Sequence, residues 1–232
     1  MSTLLINGCS FARCWNSSEE FLKSLSCDQV INLGKDGGSL QRVVRTTVEW
    51  IAQNGPPKMV IIPIPLATRW ELSIAKNEDD IDGTWYPMQL KEYLDEKKIS
   101  TLVDFKKLEK LTELYYGSIP DIRTYWDSCF TDLILLSSFL EQTKINYLIF
   151  DMCNNFKMKH LKGYKGFEKI KLIDNNKKII DLFGFCGNKY MHDIMKDKDK
   201  DKNEINPLMH HHSNKEYKEL ENYLLNYLKL YF

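Results

Sequence analysis

Apolar and polar positions alternate along the chain in short apolar runs and longer amphipathic stretches. The first residues, Leu4-Leu5-Ile6-Asn7, make an apolar β-run that stops at Gly8, the pattern of a strand. Ser17-Ser18-Glu19-Glu20 places a glutamate three residues after a serine, as in a capping box, and predicts a short helix to about Leu25. Val30-Ile31-Asn32-Leu33 predicts a second strand. The glycines of Gly34-Lys35-Asp36-Gly37-Gly38-Ser39 predict a loop with positive φ and close backbone approach. Leu40, Val43, Val44, Val48, Ile51 and Ala52 then recur at helical spacing, with Arg42, Arg45 and Glu49 expected on the opposite face. Gly55 and Pro56-Pro57 end that helix.

Met59 to Pro65 predicts a third, buried strand, and its prolines imply that ladder pairing fails towards its C-terminal end. The strand opens into Leu66-Ala67-Thr68-Arg69-Trp70-Glu71. Residues 73–105 are polar and aperiodic and read as an insertion over one face of the sheet. A helix is expected near Asp104 to Tyr116, and a longer one from Asp121 to Gln142 with an apolar stripe through Cys129, Leu133, Leu136 and Leu140. Ile145 to Asp151 is the fourth strand. Strands alternating with helices predict an α/β fold, a three-layer αβα sandwich with a mainly parallel sheet. Asp174-Asn175-Asn176, between short apolar runs within Lys169 to Phe185, reads as a hairpin turn. The Lys/Asp-alternating stretch in 193–206 reads as a mobile loop. A final amphipathic helix carries Tyr217, Leu220, Tyr223, Leu224, Tyr227 and Leu228.

Composition narrows the function classes. The chain has 232 residues, is 43% hydrophobic and contains no Pro/Gly/Ser-rich linker, so residues 1–232 read as one domain. Lys+Arg and Asp+Glu both number 32; without a basic field, nucleic acid is not the expected partner. The six cysteines show no Cys-x-x-Cys pair, which fits free thiols in a reducing compartment. No apolar run is long enough to span a bilayer and no basic segment opens the chain, so the expectation is a cytoplasmic protein with no signal peptide and no membrane partner.

The candidate chemistry begins at Ser10, behind Gly8 at the C-terminal tip of the first strand, where open α/β sheets face their ligand crevice. A tip serine is held out of the backbone as a nucleophile if a base is at hand, and otherwise only caps the next turn. His212, just before the last helix, is a candidate base with an ordinary pKa near neutrality. The triplet His210-His211-His212 has a rival reading as a metal site. On an extended segment at most His210 and His212 share a side, and no carboxylate or cysteine stands at ligand spacing beside them, so no metal is expected. His160 and His192 are isolated. Arg69, at the tip of the third strand, is either a surface arginine or a crevice residue that binds an anionic substrate group.

Gly8-Cys9-Ser10-Phe11, the glycine loop after strand two and the histidine before the last helix together resemble the SGNH (GDSL-type) hydrolases, in the Gly-Cys-Ser-Phe form of SGNH-like bacteriophage proteins. The resemblance implies a flavodoxin-like sheet, Ser10 as nucleophile, His212 as base, and the N–H groups of Ser10 and Gly37 as oxyanion donors. It further implies an ester of a small molecule or carbohydrate as substrate, and no cofactor. Two positions depart from the family pattern. Leu66-Ala67-Thr68-Arg69-Trp70-Glu71 lacks the asparagine donor of the oxyanion hole, leaving Thr68 or Arg69 to substitute, and Met209 stands where an aspartate would precede the histidine. Those departures keep two other readings open. One is a non-catalytic SGNH-like binding protein, and the other a virus structural protein whose aromatic last helix forms an oligomer interface.

Overall fold

The computed structural model describes residues 1–67, 69–74, 84–88, 106, 110, 111, 113, 114, 122–151, 179–181 and 214–231. Five strands form a parallel sheet: β1 (Thr3–Ile6), β2 (Gln29–Asn32), β3 (Met59–Ile64), β6 (Asn146–Asp151) and β7 (Ile179–Asp181), in the order β2-β1-β3-β6-β7. Two further strands, β4 (Trp70–Ile74) and β5 (Thr84–Met88), make a separate antiparallel pair. The helices are α1 (Ser10–Arg13), α2 (Glu19–Ser24), α3 (Leu40–Asn54), α4 (Ile122–Gln142) and α5 (Asn214–Tyr231).

The side-chain period of two divides each central strand between two cores. Leu5, Val60, Ile62, Ile64, Tyr147 and Ile149 pack against Leu40, Val43 and Ile51 of α3 and Phe130, Leu133, Leu136 and Leu140 of α4. Leu4, Ile6, Met59, Ile61, Leu148 and Phe150 pack on the other face against Ala12, Trp15, Phe21 and, from α5, Tyr217, Leu220, Leu224 and Leu228. The protein is therefore a three-layer αβα sandwich on a mainly parallel sheet. Burying each of these large side chains contributes about 1.5–3 kcal/mol, so both layers of helices are held chiefly by apolar area.

Chain direction across the sheet reverses at β1. The connection to β2 carries α1 and α2 on one face, and the connection from β2 back to β3 carries α3 on the other. Such a switch point leaves a crevice at the C-terminal ends of the strands it separates. Pairing of β1 with β3 stops at Ile61, while β3 continues beside β6 to Ile64. The β1 pairing ends where β1 itself ends, at Ile6, and the expected failure at the prolines is not seen beside β6: Pro63 and Ile64 still hold register with Phe150 and Asp151.

Several local expectations change. The cap of α2 is Ser18, whose Oγ accepts the Phe21 N–H; Ser17 lies one residue too early, and no capping box with Glu20 forms. The buried stripe of α3 is Leu40, Val43, Thr47 and Ile51, while Ala52 is exposed. The segment entering the expected insertion is strand β4, paired with β5 from Trp70↔Met88 to Ile74↔Thr84. Of the expected helix 104–116, the five described residues are helical. In the expected hairpin, Ile179–Asp181 pairs in parallel with β6, and the run before it lies outside the described residues, as does 193–206.

Candidate active site

The site is built outward from the end of β1. Asn7 is fully buried there, and its side chain is a junction. Its Oδ1 accepts the Gly8 N–H at 2.9 Å, and its Nδ2 faces the Val43 carbonyl at 3.1 Å, Thr46 Oγ1 at 2.8 Å and Thr47 Oγ1 at 2.9 Å, all on α3. A buried amide so fully partnered fixes the turn that follows it, because any shift strands several polar groups at once. Cys9 is the N-cap of α1 without a side-chain cap bond, and Ser10 is the first helical residue. Ser10 is half-buried. The reading of Ser10 as a mere cap is thus not what the turn shows.

The glycine loop locks onto this turn. The Lys35 N–H donates to the Gly8 carbonyl at 3.2 Å, the Gly38 N–H to the Lys35 carbonyl at 3.0 Å, and the Leu33 N–H to the Ile6 carbonyl at 2.8 Å. Gly37 has φ +71°, a backbone conformation glycine adopts at little cost. Asn32 clamps the other side: its Nδ2 donates to the Ala12 and Trp15 carbonyls at 2.6 and 3.1 Å, and its Oδ1 accepts the Gly34 N–H at 2.9 Å. Arg13 and Asp36 pair across the mouth of the turn, both exposed, so that contact is worth little by itself.

Sequence periodicity misplaced two arginines. Arg42 and Arg45 do not sit on a solvated face of α3. Arg42 donates from Nη2 to the Leu33 carbonyl at 2.8 Å and from Nη1 to Asn7 Oδ1 at 3.3 Å. Its Nε stands 3.9 Å from Glu71 Oε1, and Arg45 Nη2 donates to Glu71 Oε2 at 3.2 Å. The Glu71 side chain is only 1% exposed and that of Arg42 11%, which makes this a desolvated cluster. Burial pushes the Glu71 carboxyl above the ordinary carboxylate range, with Arg45, Arg42 and Lys35 pulling it back. Burial also lowers Arg42, against the field of Glu71. Arg69, two residues before Glu71, has a buried Nη1 without a hydrogen-bond partner among the described residues.

The last helix is docked next to Ser10. The Tyr217 hydroxyl donates to the Phe11 carbonyl at 2.7 Å, and Tyr217 stacks on Trp15 with centroids 6.2 Å apart. Glu221, buried, accepts from Trp15 Nε1 at 3.0 Å, from the Ser18 N–H at 3.0 Å and from Ser18 Oγ at 2.6 Å. Of the residues the sequence proposes for chemistry, the fold brings the Ser10 turn and the Gly37 loop together and sets Arg69 after the neighbouring strand. Thr68, His210, His211 and His212, with His160 and His192, lie outside the described residues. Sequence reasoning passed over Asn7, Arg42, Glu71 and Glu221. Only the polar Asn7 closing an apolar run carried a local signal.

A model described as a family of unknown function, DUF6071, matches residues 6–231. The chain belongs to the DUF6071 family. No curated protein matches this DUF6071 sequence. Among solved structures it is similar to an acetyl xylan esterase (11% identity, TM-score 0.49, 97% of this chain and 98% of that one). It is similar also to the psychrotrophic esterase EstA of Pseudoalteromonas sp. (13% identity, TM-score 0.47, 99% and 97%). A third is a member of the lipolytic protein G-D-S-L family from Veillonella parvula (11% identity, TM-score 0.39, 97% of each). Among the described residues of the DUF6071 chain, no helix is long and apolar enough to cross a membrane.

Proposed function

We propose that this DUF6071 protein is a serine esterase of the SGNH type, cleaving an O-acyl or O-acetyl ester of a small molecule or carbohydrate. One observation carries the reading: the turn bearing Ser10 and the loop bearing Gly37 are bonded to one another through the Gly8 carbonyl and the Lys35 N–H, at the crevice end of the switch-point strands. Two backbone amides on interlocked loops beside a tip serine are what an oxyanion site requires, and each such donor is worth about 2.7–4 kcal/mol in the transition state. The Ser10 N–H, first in its short helix, has no acceptor within α1.

In this reading Ser10 Oγ attacks the acyl carbon while His212 takes its proton. The carbonyl π pair moves onto oxygen and is held by the Ser10 and Gly37 N–H groups. Collapse expels the alcohol, which takes the proton from His212, and water repeats the sequence on the acyl-serine to release the acid. His212 precedes Tyr217 by five residues (217 − 212), and Tyr217 is bonded to the carbonyl next to Ser10. Because α5 begins at Asn214, two residues after His212, the docking of Tyr217 beside the Ser10 turn supports a place for this imidazole near Ser10. In the same reading Thr68 and Arg69 take the place of the family's asparagine, and the buried Arg69 Nη1, without a partner among the described residues, favours a substrate with an anionic group.

A second reading, a non-catalytic binding protein on the same crevice, draws on one observation. Where the family sets an asparagine donor, this chain has Arg69 and a Glu71 already engaged by Arg42 and Arg45. A fluorophosphonate probe separates the two readings. Labelling that requires Ser10, with turnover of a short-chain aryl ester lost in Ser10→Ala, is the expected result. A wild-type protein inert to the probe from pH 6 to 9 would leave the binding reading.

A further inference from the structure

The Ser10 turn and the Gly37 loop belong to different connections of the sheet, and one side chain touches the support of both. Arg42 Nη1 donates to Asn7 Oδ1, the oxygen that also receives the Gly8 N–H, and its Nη2 donates to the Leu33 carbonyl at the root of the glycine loop. Its Nε faces Glu71 on β4. The guanidinium is a planar fork with fixed angles between its donors, so these acceptors cannot drift apart without breaking a nearly buried charge-assisted contact. Asn7 in turn holds α3, which carries Arg42, through Val43, Thr46 and Thr47. The result is a closed ring from strand tip to helix to loop.

We infer that Arg42 is a positioning residue that sets the spacing between Ser10 and Gly37 by bridging Asn7 Oδ1 and the Leu33 carbonyl. The inference rests on the esterase reading for its catalytic consequence, and on the hydrogen bonds alone for its structural one. Arg42 touches no reacting atom. It acts on where the two oxyanion amides stand relative to each other, and such geometry tolerates little error: a displacement near 1 Å costs about a hundredfold in rate. A lysine keeps the charge opposite Glu71 but offers one point of contact, so it supports one loop or the other.

The test compares wild type, Arg42→Lys and Ile51→Val, the last a core change beneath α3 that lowers stability without touching either loop. The expected result for Arg42→Lys is a kcat roughly 30- to 100-fold lower with KM within about threefold. The pH midpoint of the rate stays unmoved, and fluorophosphonate labelling slows in parallel. Ile51→Val is expected to keep kcat within about twofold despite a lower melting temperature. Backbone amide exchange is measured on the same proteins, with the Gly8 and Lys35 amides, bonded to Asn7 Oδ1 and to the Gly8 carbonyl, expected to exchange at least about tenfold faster in Arg42→Lys. Should Arg42→Lys not fold, the double variant Arg42→Gln/Glu71→Gln, which removes both buried charges together, takes its place with the same expectations. Wild-type kcat in Arg42→Lys, or a loss no larger than that of Ile51→Val, overturns the positioning role. If wild type itself neither labels nor turns over, the esterase reading fails and exchange decides: faster Gly8 and Lys35 exchange upholds the bridge, and unchanged exchange overturns it.

Discussion

Trp15 and Glu221 are 206 residues apart in sequence and joined by a hydrogen bond from the indole Nε1 to the carboxylate Oε1 at 3.0 Å. The bond ties the loop after α1 to the last helix, and the same carboxylate receives the Ser18 N–H and hydroxyl. Glu221→Ala strands these donors in the interior, at a cost of about 3 kcal/mol. In a chain of this size that lowers the melting temperature by roughly 6–12 °C. Glu221→Gln retains an acceptor for Trp15 and the Ser18 N–H, and is expected to lose about 1 kcal/mol. Thermal unfolding of the two variants checks the difference. Equal melting temperatures would show that the carboxylate is not the tie.

Gly34 allows α1 to lie against the glycine loop. A Cβ added there would stand 2.3 Å from the Arg13 backbone nitrogen and 2.7 Å from the Ala12 carbonyl carbon. Both are backbone atoms of the helix that begins at Ser10, so neither can swing aside. Gly34→Ala is expected to cost about 3 kcal/mol by overpacking and to slow probe labelling of Ser10, because the helix must move as a body. Urea unfolding together with the labelling rate tests it. A variant as stable and as reactive as wild type would mean that the loop gives way instead.

The parallel sheet was legible because its strands announce themselves: Leu4-Leu5-Ile6 and Val60-Ile61-Ile62 are continuous apolar runs, and each is reached from or followed by a stretch of helical period. The position of Ser10 at a strand tip followed from the same runs. Strand β4 was missed although Trp70, Leu72 and Ile74 alternate with Glu71 and Ser73, because the polar, aperiodic stretch 73–105 begins within it. The roles of Arg42 and Arg45 were not legible at all. A helical wheel sets both opposite the apolar stripe, yet long side chains turn inward when a buried carboxylate, here on a strand distant in sequence, offers a partner. Glu221 is hidden for the same reason: its donors lie at Trp15 and Ser18, and no local pattern connects them.

Asp132 on α4 is expected to make stability depend on pH. Burial raises its carboxyl from 3.8 to about 6. The folded chain therefore holds this proton more tightly than the unfolded chain. The stabilisation is fully present below the unfolded value and is lost as pH rises through about 6. Glu71 shifts in the same direction, also by burial first, so wild type alone reports the two together. Asp132→Asn removes one. Denaturation midpoints of wild type and Asp132→Asn, compared from pH 4 to 7.5, are expected to move in favour of the variant as pH rises. A constant difference across that range would show that Asp132 does not titrate in the window.

The three consecutive histidines separate nucleophilic catalysis from a metal mechanism. As general base, His212 accepts the Ser10 proton only when neutral, so kcat/KM is expected to rise with pH through about 6.5, the ordinary imidazole value. Loss of a general base costs roughly 10²–10⁴-fold, and His212→Ala is expected to fall in that range, with Ser10 labelling slowed to match. His210→Ala and His211→Ala keep the base and are expected to stay within about threefold of wild type, which is the cost of a disturbed loop and not of a lost proton acceptor. Treatment with a chelator is expected to change nothing. Comparable losses at His210 and His212 together with inhibition by the chelator would transfer the chemistry to a bound ion, because side chains two positions apart share one side if a segment is extended. Ser10 would then be a substrate-binding hydroxyl, and Ser10→Ala would raise KM with kcat largely kept.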